Sequence, residues 1–210
     1  MAEFSNKEWI NLYYLTLFGR PVDAGGYEYW NGLVEDGMTI EEMSNHLVDI
    51  AFKADYDEDT DGEYAEYFIT NLYQNVFNRA ADQADIDYWK GELEDGNVTH
   101  GNLAQTIIWV ASQAADDDAN VADRNTMTNR LQVAEAASDL MIAEGTEWTD
   151  ELEADLVDLI ADVTDDEATA TSAEGLIETV VEPPATAPDF SVAAAASTVV
   201  EGSGLEFTVT

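Results

Sequence analysis

Residues 14–37 read YLTLFGRPVDAGGYEYWNGLVEDG, and residues 73–96 read YQNVFNRAADQADIDYWKGELEDG. Placed end to end, the stretches match Tyr14 with Tyr73, Phe18 with Phe77, Arg20 with Arg79 and Asp23 with Asp82. Tyr29-Trp30 returns as Tyr88-Trp89, Gly32 as Gly91, and Glu35-Asp36-Gly37 as Glu94-Asp95-Gly96. Every pair is 59 residues apart, as from Trp30 to Trp89. A constant offset over so many positions marks an internal duplication, so the fold is a repeated unit and function is sought in what that unit does.

The unit reads as three helices. Ile10, Tyr13, Tyr14, Leu17 and Phe18 fall at helical spacing between Trp9 and Phe18. Pro21 and Gly25-Gly26 read as the break after this helix. Tyr27, Trp30, Leu33 and Val34 mark a second helix that Gly37 stops. Thr39 with Glu42 forms a capping box for a third, whose apolar positions are Met43, Leu47, Ile50 and Ala51. The second copy repeats the order: Tyr67 to Val76, Ile86 to Leu93, then a helix capped by Thr99 with Leu103, Ile107, Ile108 and Val110. One such unit buries too little surface to stand alone, so the two are expected to pack together.

Further helices follow. Met127, Leu131, Ala134 and Ala137 to Met141 form one stripe, and Leu152, Leu156, Leu159, Ile160 and Val163 another. Small polar residues then lead, through a short helix near Leu176 to Val181, to Pro183-Pro184 and Pro188, which read as a stiff linker. After it the pattern alternates, with Phe190, Val192, Val199-Val200, a Gly202-Ser203-Gly204 turn, and Leu205, Phe207 and Val209. The expected class is mainly α: two duplicated three-helix units plus further helices, then a Pro-rich linker and the start of a β-sandwich. The expected divisions are a helical domain over 1–165 (copies at about 5–54 and 64–113), a linker over 166–189, and the first strands of an incomplete β module over 190–210.

Charge narrows the partners. The 210 residues hold 45 acids against 7 bases, a net charge of -38. No Lys or Arg follows Arg130. Such a chain repels phosphate backbones and bare anionic lipid, which argues against nucleic acid, and no stretch approaches the roughly 20 apolar residues of a membrane span, so direct membrane insertion is not expected. A divalent cation would invert that logic by neutralising clustered carboxylates. Cysteine is absent, which removes disulfides, thiol catalysis and thiolate metal sites. The N-terminus, Met1-Ala-Glu-Phe-Ser-Asn-Lys-Glu, lacks the basic start and apolar run of a secretory signal. The expectation is either a cytoplasmic protein or export by a route that reads no N-terminal signal.

The sharpest local motif is Asp57-Glu58-Asp59-Thr60-Asp61-Gly62. Oxygens at alternate positions before a glycine let a loop wrap around Ca²⁺, which takes six to eight hard ligands. Asp57, Asp59 and Asp61 are the candidate ligands, with Glu63 and Glu66 beside them, because the twelfth position is Phe68 rather than a bidentate Glu. Asp116, Asp117, Asp118 and Asp123 form a second, weaker candidate set. The competing reading of both is a solvated acidic loop. Arg20 and Arg79 each precede an Asp suited to N-capping; they serve either that helix start or a ligand. Trp30 and Trp89 recur on the apolar face and read as core, whereas Tyr13, Tyr29 and Tyr88 are the tyrosines expected to face outward and stack on a ligand. His46 and His100 sit in no metal spacing. No nucleophile elbow, phosphate loop or dinucleotide motif occurs, so the reading is non-enzymatic.

The pattern Leu-Tyr…Phe-x-Arg-x-x-Asp…Tyr-Trp-x-Gly…Asp-Gly resembles a helical domain-of-unknown-function family, often in tandem, of bacterial S-layer, haemolysin-type calcium-binding and other large surface proteins. It is also similar to the helical domain of phycobilisome linkers, although those are usually basic. The resemblance covers roughly residues 5–113, and the second copy departs from it where Ala84-Asp85 replaces Gly25-Gly26. The ending from Ser197 to Thr210 looks like the opening of a Calx-beta-type module. Together the resemblances imply an extracellular, cell-surface protein exported by type I secretion. They imply calcium-dependent anchoring to lipopolysaccharide or another surface polysaccharide, with other copies of the chain as lattice or filament partners. A self-assembly module that binds no glycan is the alternative.

Overall fold

Ser5 starts the first helix, α1 (Asn6–Phe18). Its hydroxyl accepts from the Glu8 N–H while the Glu8 carboxylate accepts from the Ser5 N–H. The structure is a computed structural model that describes residues 4–58 and 63–181, with side chains for 4–53 and 63–181. Every residue from Trp9 to Leu17 is buried. A helix buried all round belongs in the middle of its domain, and α1 touches five other helices. The single apolar face expected from Ile10, Tyr13, Tyr14, Leu17 and Phe18 is corrected accordingly. Its polar members are satisfied: Thr16 donates to the Leu12 carbonyl and Asn11 accepts from Ser138.

The second helix, α2 (Ala24–Glu35), opens on Asp23, whose carboxylate accepts from the Gly26 N–H. Gly25-Gly26 was expected to break the chain, but it lies in the first turn of α2. The reason for glycine is proximity: a Cβ on Gly26 would sit 2.7 Å from the Tyr14 hydroxyl. Gly37, at φ 109°, ends this stretch as expected. Thr39 and Glu42 form the expected capping box of α3 (Ile40–Glu58). Met43 and Leu47 are buried on it, but the buried companion is Val48, and Ile50 is exposed.

The second copy folds as α4 (Glu63–Phe77), α5 (Gln83–Glu94) and α6 (His100–Ser112). Asp82 and Thr99 cap α5 and α6. Counterpart meets counterpart: α1 packs on α4 and α3 on α6. This is the contact pattern of an isologous pair, here within one chain. At the seam Asn75, the counterpart of Thr16, donates to the Thr16 carbonyl. A Cβ on Gly101 in α6 would collide with the Asn45 side chain, so α3 and α6 approach closely there.

Three more helices close the body: α7 (Val121–Glu144), α8 (Asp150–Ala161) and α9 (Glu167–Val181). The long α7 lies across α1, α4, α6 and α9. Within the expected linker of 166–189, the short helix expected near Leu176 to Val181 is instead the longer α9, which begins at Glu167, so the helical body extends at least to Val181. Ala170, Ala173, Ile177 and Val181 are buried. Small side chains let α9 lie close on α7, and their low hydrophobicity is what made the segment read as linker. No strand occurs among the described residues. The Pro-rich stretch and the expected strands over 190–210 lie outside the described residues.

Arg130 joins the second copy to the added helices. It is 2% exposed. Its guanidinium donates to the carbonyls of Gln74 and Asn75 in the last turn of α4, and to those of Ala161 and Val163 at the end of α8, at 2.5 to 3.2 Å. Helix C-termini leave carbonyls without partners and carry partial negative charge, so a buried cation satisfies both needs. Asn78, in the left-handed region at φ 57°, adds a bond to Ala161, and Asn129 one to Thr164. Burial pushes the Arg130 pKa down to about 10, which leaves it charged at neutral pH.

Arg130→Ala is expected to cost about 3 kcal/mol or more, because several buried carbonyls lose their donor. Arg130→Lys recovers only part of this, since an ammonium lacks the planar fork. Urea unfolding monitored by tryptophan fluorescence checks both; a loss under about 1 kcal/mol for Arg130→Ala would contradict the assignment.

Candidate functional site

Each copy builds the same aromatic cluster. The indole N–H of Trp30 donates to the Tyr14 hydroxyl at 3.1 Å, and that of Trp89 to the Tyr73 hydroxyl at 2.8 Å. Burial raises the pKa of Tyr14 and Tyr73, keeping both hydroxyls protonated. The arginine that follows α1 or α4 lies over these rings. Arg20 is 5.1 Å from the Tyr14 centroid and Arg79 is 4.9 Å from that of Tyr73. Beside each buried tryptophan stands an exposed tyrosine, packed edge-on. Tyr29 is 4.9 Å from Trp30 and Tyr88 is 4.8 Å from Trp89.

The copies diverge around the arginine. In the second, Asp123 from α7 receives Arg79 through both carboxylate oxygens, at 2.8 and 2.7 Å, and Asp85 accepts from it at 2.9 Å. Asp85 also accepts from the Tyr73 hydroxyl. A chain of hydrogen bonds therefore runs from Trp89 through Tyr73, Asp85 and Arg79 to Asp123. The bond to Asp123 raises the Arg79 pKa, and partial burial works against it. A cavity of about 170 Å³ opens beside this chain, bounded by Arg79, Tyr88, Ala111 and Asp123 among others.

In the first copy, the ring of Trp148, from the turn before α8, has its centroid 4.3 Å from the Arg20 guanidinium carbon. Glu153 of α8 pairs with Arg20 at 3.3 Å and accepts from the Trp148 indole. Phe52, the counterpart of Ala111, stacks on Phe18. Aromatic rings thus crowd the first arginine where the second has open space.

Of the ligand-binding residues expected from sequence, Tyr29 (55% exposed) and Tyr88 (58% exposed) do face outward. Tyr13 is corrected: it is fully buried, and its hydroxyl donates to the Ile40 carbonyl. Its place on the all-round buried α1 is the physical reason. Arg79 and Tyr88 share one cavity with Asp123, whereas Arg20 sits under Trp148. Sequence reading did not find the pairing of Arg79 with Asp123, because the partners are 44 residues apart on α4 and α7. The visible signal was Asp85 standing where the first copy has Gly26.

For calcium, Asp59 and Asp61 lie outside the described residues, as does the side chain of Asp57. Glu63 and Glu66 stand in the first turn of α4. In the second set, Asp116 pairs with Arg124, Asp118 accepts from the Asn120 N–H, and Asp123 holds Arg79, while Asp117 is exposed. Among the described residues no three His, Asp or Glu side chains gather as a metal set. No described helix is long and apolar enough to cross a membrane.

Fold and site thus define a helical domain with an internal duplication. Residues 43–111, from α3 through α6, match the family model described as Domain of unknown function (DUF4214). No curated protein and no solved structure matches the chain.

Arg79→Lys keeps the charge and loses the two-pronged bond to Asp123. The side chain is 36% exposed, so screening limits the expected loss to about 1 kcal/mol. Hydrogen exchange in the first turn of α7 should accelerate in this variant; unchanged exchange there would show that the pair does not hold α7.

Proposed function

We propose that this chain is a non-enzymatic, calcium-dependent cell-surface anchoring domain of an S-layer or related type I-secreted protein. It would hold lipopolysaccharide or another surface polysaccharide. The observation that carries this reading is the duplicated tyrosine. Tyr29 and Tyr88 occupy the same place in each copy, and each is exposed with a buried tryptophan fixing its edge. A flat ring held rigid and open to solvent suits the C–H face of a sugar, and it costs little conformational entropy to use. Two such rings on one duplicated scaffold suit a polymer whose own units repeat.

Calcium enters through charge. With a net charge of -38, the chain repels the anionic groups of a bacterial surface until cations intervene. Ca²⁺ at Asp57, Asp59 and Asp61, with Glu63 and Glu66 beside them, would bridge protein carboxylates to sugar hydroxyls or phosphates. The second reading, self-assembly without glycan, draws on Trp109 and Val110. These neighbours on α6 are 41% and 47% exposed, an apolar patch suited to another copy of the chain.

Retention of the purified chain on isolated surface polysaccharide, with calcium present, tests the first reading. Tyr29→Ala and Tyr88→Ala should each weaken retention about tenfold, one stacking contact being worth roughly 1–1.5 kcal/mol. Retention unaffected by the double variant would reject the platforms. Calcium should raise the melting temperature, and Asp59→Ala with Asp61→Ala should abolish the rise; calcium-driven association in light scattering without polysaccharide retention would favour self-assembly.

A further inference from the structure

We infer that the cavity beside Arg79 is a docking site for a tryptophan side chain of a separate, basic polypeptide. The molecule supplies the precedent. Its two copies share the arginine, the tyrosine and phenylalanine beneath it, and the buried tryptophan. In the first copy the arginine is completed by an indole: the ring of Trp148 has its centroid 4.3 Å from the Arg20 guanidinium carbon. That indole arrives on a segment outside the duplication, between α7 and α8. The second copy has the same guanidinium, and among the described residues no indole lies over it. Where Phe52 fills space in the first copy, the second has Ala111, and a cavity of about 170 Å³ remains. A guanidinium beside open apolar walls favours a flat π-system.

The carboxylate half of the arrangement is already present. In the first copy Glu153 comes with Trp148 and pairs with Arg20. In the second, Asp123 and Asp85 already hold Arg79, so the missing part is the ring alone. Around the ring, charge selects the partner. The cavity holds two carboxylates against one guanidinium, and the chain carries 45 acids against 7 bases. A second copy of this chain would bring the same negative field, and an acidic peptide is repelled for the same reason. Lysine or arginine flanking the tryptophan would be attracted, with an affinity that falls as salt rises. Tyr88, one of the two tyrosines of the proposed glycan platforms, lines this cavity, whereas Tyr29 lies in the other copy and is not part of it.

The test uses the full 210-residue chain and three probes: Lys-Trp-Lys amide, Glu-Trp-Glu amide and N-acetylglucosamine. Methyl and aromatic NMR shifts are followed at Tyr88, Ile107 and Val110. Lys-Trp-Lys should shift these resonances, and Glu-Trp-Glu should bind at least tenfold more weakly. Ala111→Phe, which installs the residue of the first copy, should weaken Lys-Trp-Lys binding at least tenfold. Ala84→Phe fills the cavity from α5 and should do the same, so that misfolding of one variant leaves the other to decide. Equal binding to both cavity-filling variants and the parent, or no shift with millimolar Lys-Trp-Lys, would overturn the inference. Shifts at these residues by N-acetylglucosamine that the peptide does not displace would overturn it in favour of a sugar.

Discussion

The fold turns on a single buried cation. Among the described residues Arg130 has no carboxylate partner; its guanidinium is held by four backbone carbonyls from the ends of α4 and α8. A chain with 45 acids could have placed an aspartate there. Carbonyls serve better, because a paired carboxylate would itself have to be desolvated, whereas helix-end carbonyls are already buried and need donors. One side chain thus ends two helices and fixes α7 against both. Ile69 and Leu72 on α4 and Leu156 and Ile160 on α8 are buried on either side of this contact.

Duplication gave this protein two equal scaffolds, and the added helices made them unequal. The α7–α8 turn lays Trp148 on the first arginine, while the start of α7 brings Asp123 to the second. The part common to both copies is the Arg–Tyr–Trp stack and the exposed tyrosine beside it. The part that differs is what covers the arginine. The proposed glycan reading draws on the shared features and the proposed tryptophan site on the unshared one, with Tyr88 belonging to both.

Much of this was legible in the chain. The repeat, the helix order within it, the capping by Asp23, Asp82, Thr39 and Thr99, and the core placement of Trp30 and Trp89 all follow from local rules with short range. Tyr29 and Tyr88 were legible for the same reason, since each neighbours a tryptophan that must point inward. Local rules failed where a helix is covered on every side. Tyr13 sits on such a helix, and periodicity cannot mark an outward face that does not exist. They failed again at α9, whose alanines gain their burial from the closeness of α7 rather than from their own hydrophobicity.

The sequence by itself determined a duplicated, helical, strongly acidic protein with its helix order and its paired tyrosines, because spacing, capping and charge act over a few residues. Only the tertiary structure decided which arginine is covered and which is open, and that Arg130 is the tie between helices. Asp123 meets Arg79 across 44 residues, and Arg130 meets Asn75 across 55. Contacts of that range are set by how helices cross, and no local pattern of residue types encodes the crossing.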